Sequence, residues 1–251
     1  MKQSRFTGLL YCTALVIFLT SCGGSDSEKK ATADSTATTA TDTTAKAPEP
    51  APVVNTVITI PQSMAVIIHK VANFAKWKAA YDADDSARLA SGLHNYVIGR
   101  GYLDTNMVII GLKADDIAKA KAFSKNPHLK MAMQKAGVTG APMVSFTTAT
   151  WQDTAMISST LRSRTTYSVK DWDAWLKAFQ DGRQERIDNG ITDRVVSHDA
   201  DDNKKIALVT AVMDTAKAFA YYKSDALKKR RAAGGVIGEP TRFLFTIVHR
   251  Y

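Results

Sequence analysis

Nine side chains in this 251-residue chain are of types and spacings that could hold a small ligand: His69, His94, Tyr96, Arg100, Arg162, Arg164, Tyr167, Arg194 and His198. Successive residues of a strand face opposite ways, so His94, Tyr96, Ile98, Arg100 and Tyr102 share one parity. Thr192, Arg194, Val196, His198 and Ala200 share the corresponding one. Arg162 and Arg164 share a face where an earlier stretch carries Met64 and Val66. Turned inward, these parities make a cationic and aromatic site suited to a small anionic or aromatic ligand. Turned outward they are a wet sheet face, the commoner meaning of polar alternation. His69 and Tyr167 end their strands as a matched polar pair. They are either ligand groups at the two mouths of a barrel or partners for neighbouring helix ends.

Other chemistry is excluded by what is missing. The sequence has no His-x-x-x-His or cysteine cluster for a metal, no Gly-rich phosphate loop between strand and helix, and no Gly-x-Ser-x-Gly elbow. No cofactor or metal is expected. Both cysteines, Cys12 and Cys22, lie in the first 22 residues, so the part expected to fold has no thiol for a disulfide, a zinc site or a nucleophile. The net charge of +9 sits on residues 57–251, with 28 basic against 19 acidic side chains. It is spread over both halves, unlike a nucleic-acid module. The one dense basic run, Lys228-Lys229-Arg230-Arg231, reads as a solvated helix face.

The elements that position these residues come in two copies. Gly137-Val138-Thr139-Gly140-Ala141-Pro142 returns as Gly235-Val236-Ile237-Gly238-Glu239-Pro240, an offset of 98 residues. The same offset matches Val71 to Val169, Phe74 to Trp172, Trp77 to Trp175, Arg88 to Arg186, Gly92 to Gly190 and Asp104 to Asp202. One unit is therefore written twice. In the first copy Met64–Lys70 reads as a strand, and Asn73 caps a helix with Phe74, Trp77, Tyr81 and Leu89 on its apolar stripe before Gly92. His94–Tyr102 and Met107–Leu112 form a hairpin across Asp104-Thr105-Asn106. Asp115 caps a second helix, Pro127 opens a short third one, and Met143–Thr150 is the last strand.

The second copy repeats the βαββαβ order. Its strands are Leu161–Ser168, Ile191–Asp199, Lys205–Ala211 and Thr241–His249. Asp171 caps a helix with Ile187 on its stripe, and Asp214 and Asp225 cap the later helices. Trp77 and Trp175 belong to the core by helical spacing. Arg88 and Arg186 near helix ends suit the helix dipole.

The βαββαβ order and the Gly-Val-x-Gly-x-Pro signature resemble the dimeric α+β barrel superfamily, a ferredoxin-like group that includes antibiotic-biosynthesis-monooxygenase-type proteins. The likeness spans about residues 62–251 and implies an α+β fold. Two tandem ferredoxin-like repeats would form an intramolecular pseudo-dimeric barrel, with residues 57–152 as the first repeat, 153–251 as the second, and the chain monomeric. It also implies a ligand site between sheet and helices or within the barrel. Monooxygenase members typically place an Asn on the first strand, and neither first strand here contains one. Haem-degrading relatives use a His on the second helix. His128 lies near that place but its counterpart is Ala226, so it reads as a surface residue.

The N-terminus gives an address. Lys2 and Arg5 precede the apolar run Leu9–Leu19, too short for the roughly 20 residues that span a bilayer. Leu19-Thr20-Ser21-Cys22 resembles a bacterial lipobox, which implies residues 1–21 as a lipoprotein signal peptide and Cys22 as the lipidated anchor to the membrane. Residues 22–56, rich in Thr and Ala, have almost nothing to bury and read as a disordered tether. The expected location is the cell envelope, with the outer membrane favoured. Three functions fit: a lipid-anchored barrel that binds a small ligand or partner, a cofactor-free oxygenase or isomerase near His94, Tyr96 and Arg100, or a structural envelope lipoprotein.

Overall fold

The structure is a computed structural model that describes residues 55–251. The expected signal peptide, Cys22 and nearly all of the expected tether lie outside the described residues. In chain order the elements are β1 (Val57–Ile58), β2 (Gln62–Val71), α1 (Phe74–Ala83), α2 (Asp85–Ala90), β3 (Leu93–Gly101), β4 (Met107–Ala114), α3 (Ile117–Ser124), α4 (Pro127–Lys135) and β5 (Val138–Asp153). The same series follows as β6 (Leu161–Val169), α5 (Trp172–Asp181), α6 (Arg183–Asp188), β7 (Ile191–Asp199), β8 (Lys205–Val212), α7 (Thr215–Lys223), α8 (Asp225–Ala233) and β9 (Val236–Arg250).

Each repeat is a ferredoxin-like sheet, ordered β5-β2-β4-β3 in the first and β9-β6-β8-β7 in the second. The edges join crosswise: β3 pairs with β9 and β5 with β7, antiparallel in both cases. The two sheets thereby close into one barrel, which removes the open edges that a single repeat would expose. The short β1 adds to the end of β5, in line with β2. The helices lie on the outer faces. Two kinds of core result: sheet–helix cores, in the first repeat around Val71, Trp77, Ile98 and Val108 and in the second around Val169, Trp175 and Ile206 and around Ile191, Ala218 and Tyr221, and a barrel interior around Ile68, Ile109 and Phe245.

Local chemistry explains the helix starts. Asn73, Asp171 and Asp214 each accept a backbone N–H from the first turn of α1, α5 and α7. Two expected caps are corrected. Asp116, not Asp115, caps α3, and Ser224, not Asp225, caps α8. Asp115 is drawn off by His94 Nε2 at 2.9 Å.

The expected long first helix is in fact two, α1 and α2, broken at Asp84, and α5 and α6 break at the equivalent Gly182. The break shifts the helical phase. Leu89 and Ile187, expected on the buried stripe, stand 48% and 45% exposed, and Arg88 and Arg186 turn inward instead.

The repeated glycine signature also does more than end a helix. Gly137 follows α4 at φ 86°, and Gly140 at φ 76° bends the start of β5, conformations that cost a residue with a Cβ about 1–2 kcal/mol. Register then jumps, with Ile68 opposite Met143 but Lys70 opposite Thr139. The residues between, Pro142 included, form a wide bulge facing His69, a place where a strand tolerates proline. The second copy bulges likewise between Thr166 and Ser168 on β6.

Candidate functional site

The largest cavity among the described residues lies between sheet and helices of the first repeat. It measures about 690 Å³, within the range of small-molecule sites. Its floor is the outer face of the sheet, with Ala65, Ile67, Ile110, Leu112 and Phe146. Its walls are Trp77 and Tyr81 from α1 and Phe123 from α3, and α4 closes over it with Leu129 and Met133. No residue of α4 is buried, and none of its counterpart α8. The bulge residues Gly140, Ala141 and Pro142 frame the opening together with the exposed Lys125 and Lys130. The repeated sequence signature thus shapes the rim of the site.

Asp84, Ser124, Asn126 and Gln134 also line this space, but among the described residues the two buried polar groups with unpartnered atoms on it are His69 and Arg88. His69, near the end of β2, stands on the cavity wall, 4% exposed, with its ring edge-on to Trp77 at 5.6 Å. Neither ring nitrogen has a hydrogen-bond partner among the described residues. Burial pulls its pKa down to about 4, so the imidazole is neutral at pH 7. Arg88 lies over the Tyr81 ring at 3.7 Å and pairs with Asp85 at 3.1 Å, and its Nε has no partner among the described residues. Tyr81 donates from its hydroxyl to Asn95 Oδ1 at 2.5 Å, and burial raises its pKa, so it stays a neutral phenol. His69, Trp77, Tyr81 and Arg88 form a continuous row, with Trp77 stacked on Tyr81 at 5.1 Å.

The same place in the second repeat is filled, leaving about 70 Å³. The 98-residue offset shows how. Tyr222 stands where the first repeat has Ser124, Arg242 where it has Val144, and Arg230 where it has Ala132. The Arg242 guanidinium lies on the Tyr222 ring at 3.6 Å, and Arg230 Nε donates to Glu185 at 2.6 Å. Arg186, the counterpart of Arg88, makes a bidentate pair with Asp193 at 2.7 and 2.6 Å. In the first repeat Asn95 takes the place of Asp193, so Arg88 lacks that carboxylate. The basic run at 228–231 is accordingly not all solvated face: Arg230 and Arg231 turn into the second repeat's pocket.

The nine sequence candidates divide among three places. His69 and Tyr167 both lie on the helix side of their sheets, Tyr167 edge-on to Trp175 at 5.9 Å. His69 is neither at a barrel mouth nor bonded to a helix end, and Tyr167 shares its sheet–helix setting.

The expected common face for His94, Tyr96 and Arg100 does not form, because β3 carries a bulge at Tyr96, and β7 one at the equivalent Arg194. Parity reverses across each bulge. Arg100 and His198 therefore turn to the helices, Arg100 over Phe74 at 4.5 Å and His198 against Trp172 at 4.8 Å. His94 stays exposed beside Asp115. Tyr96, Arg162, Arg164 and Arg194 line a second, smaller cavity of about 90 Å³ inside the barrel. His128 is exposed. Among the described residues no three metal-ligating side chains come together.

Sequence reasoning singles out His69, and the resemblance implies a site between sheet and helices or within the barrel, but Arg88 is there assigned to the helix dipole and neither Asn95 nor the choice of repeat is foreseen. The signal was present as paired differences between the repeats, small residues Ser124, Ala132 and Val144 against Tyr222, Arg230 and Arg242.

No family model and no curated protein matches the chain. Solved structures do. An anthrone oxidase-like protein aligns over 77% of this chain and 94% of its own, with a TM-score of 0.53 and 13% identity. A heme-binding protein from Thermus thermophilus aligns over 78% and 94% at a TM-score of 0.48 and 9% identity. A candidate monooxygenase from Fusobacterium nucleatum subsp. nucleatum aligns over 75% and 93% at 0.49 and 13%. At such identities the likeness is one of fold alone. The chain has the α+β barrel fold of the dimeric α+β barrel proteins, with both ferredoxin-like repeats supplied by a single polypeptide.

Proposed function

We propose that this protein is a lipid-anchored envelope receptor or carrier whose first repeat binds one small, largely apolar molecule with an acidic or hydrogen-bonding end. The observation that carries the reading is the contrast between two equivalent places: about 690 Å³ open in one repeat and about 70 Å³ in the other. The apolar lining supplies the affinity. Arg88 supplies an N–H donor with no partner among the described residues, Lys125 and Lys130 favour an anionic end at the rim, and His69 offers one donor and one acceptor. Leu19-Thr20-Ser21-Cys22 supports the anchor, and crosswise strand pairing within one chain supports a monomer.

The test uses the second repeat's own plug. Ser124→Tyr with Val144→Arg should rebuild the Arg242–Tyr222 stack inside the open cavity. Wild type is expected to bind anilinonaphthalene sulfonate, an aromatic anion, one to one, and the folded double variant to lose that binding. Equal binding by a folded double variant refutes the site. Native mass spectrometry of protein taken from its own envelope then identifies the natural occupant. Replacement of Cys22 by Ser should move the chain from the membrane fraction to the soluble one.

A second reading, turnover of the ligand in the manner of a cofactor-free oxygenase or isomerase, rests on His69. Its neutral imidazole, unpartnered among the described residues, can donate or accept a hydrogen bond and so orient a bound substrate's polar group. It predicts that His69→Phe keeps binding and abolishes conversion.

A further inference from the structure

The barrel interior is not packed with apolar side chains alone. At the end of the barrel closed by β1, β5 and β7, Arg162 is 2% exposed and Arg194 5% exposed, and Arg164 projects from the same face of β6 into the same cavity of about 90 Å³. Among the described residues Asp153 is the one carboxylate on that cavity, and it is already engaged. It takes Arg194 Nη1 at 3.1 Å, the Thr56 hydroxyl at 2.8 Å and the Ala155 N–H at 2.9 Å. Arg162 has no acidic partner among the described residues. Its Nη1 donates to the carbonyls of Ser159 and Leu161 at 2.8 and 3.0 Å, and its Nη2 has no hydrogen-bond partner there. Among the described residues Arg164 has only the Ser145 hydroxyl, at 3.0 Å. A fourth guanidinium, Arg250, lies on the rim.

Burying guanidinium charge without a counter-charge is costly, and three of them face a single spoken-for carboxylate. Burial, followed by the neighbouring charges of Arg194 and Arg250, lowers the Arg162 pKa to about 10. Val209, Phe245 and Ile247 stand beside the arginines on the same sheet, and the first repeat contributes the apolar Val66 and Ile109. The first repeat's equivalents of Arg162 and Arg164 are Met64 and Val66, so the fold does not require arginine at these positions.

We propose that this cavity is an anion site, separate from the sheet–helix cavity, for a short-chain carboxylate whose head is held by Arg162 and Arg164 and whose tail lies on Val66 and Ile109. The planar fork of Arg matches a carboxylate bidentately. The volume equals about three liquid waters, which sets the chain at two or three carbons.

The experiment titrates propionate and, separately, inorganic phosphate into the full-length protein at fixed ionic strength, followed by calorimetry and thermal unfolding. Propionate is expected to bind saturably, one to one, and to raise the melting temperature. Arg162→Met, which installs the first repeat's residue, should weaken propionate at least about tenfold, the scale of one charge-assisted hydrogen bond. It should leave the melting temperature without propionate unchanged or higher, which loss of a merely structural arginine would not do. Arg164→Val serves as the second variant should the first fail to fold. Absence of saturable propionate binding, undiminished binding in both variants, or binding of phosphate in place of propionate overturns the proposal.

Discussion

Protonating His69 is the perturbation with the clearest sign. Burial against Trp77 in the cavity wall holds its pKa at about 4, against an ordinary 6.5. The unfolded chain takes up the proton as pH falls through 6.5, and the folded chain resists until about pH 4. Stability gained by keeping the ring neutral is fully present above pH 6.5 and drains away between 6.5 and 4. At about 1.4 kcal/mol per pH unit the loss is about 3 kcal/mol, a large part of the 5–15 kcal/mol or so that holds a typical domain.

Urea unfolding from pH 7.5 to 4 should show this loss in wild type and a flatter profile in His69→Phe, with the difference confined to that window. The imidazole resonance missing from the variant's NMR spectrum should titrate near pH 4. Parallel pH profiles, or a His69 resonance that titrates near 6.5, would refute the claim that the ring is sealed in an apolar wall.

Arg186→Met should destabilise by about 3–5 kcal/mol, because it strands Asp193 in the core, whereas Arg88→Met should cost clearly less, since its partner Asp85 is solvent-exposed on one side; chemical denaturation of the two variants compares them. Gly190→Ala should cost more than about 2 kcal/mol, as a Cβ at φ 69° would land 2.5 Å from Asp214 Cβ. Gly140→Ala, at φ 76° with nothing within 4 Å, should cost only the conformational penalty of about 1–2 kcal/mol. Asp171→Ala should remove the cap of α5 and about 1 kcal/mol, read as a shift in melting temperature.

The architecture was legible because it depends on patterns a sequence displays directly. Periodicity marked the strands, Asn73, Asp171 and Asp214 marked helix starts, and the fixed offset of 98 residues declared the duplication. What stayed hidden depends on single-residue phase. One extra residue at Tyr96 and at Arg194 reverses every side chain beyond it, so parity counted along the strand sent Arg100 and His198 to the wrong face. A non-helical residue at Asp84 likewise exchanged Leu89 for Arg88 on the inner side. Neither residue type announces a bulge or a break. Cavities are illegible for a further reason, since a sequence names the side chains present but not the space left between them.

That space becomes readable once the repeats are compared with each other. The second repeat's plug is a set of mutually dependent residues. Arg242 needs the Tyr222 ring to lie on, Arg230 needs Glu185, and Arg186 needs Asp193. The first repeat lacks the partners that complete this set, with Val144, Ser124, Ala132, Ala87 and Asn95 in place of Arg242, Tyr222, Arg230, Glu185 and Asp193. Removing any one plug residue would leave a buried charge or a bare ring, whereas removing them together leaves an apolar chamber with few polar orphans. The orphans that remain are His69 and the Nε of Arg88, both on the chamber's aromatic row. A chamber emptied merely by drift would strand polar groups at random; this one keeps them where a single ligand could satisfy both.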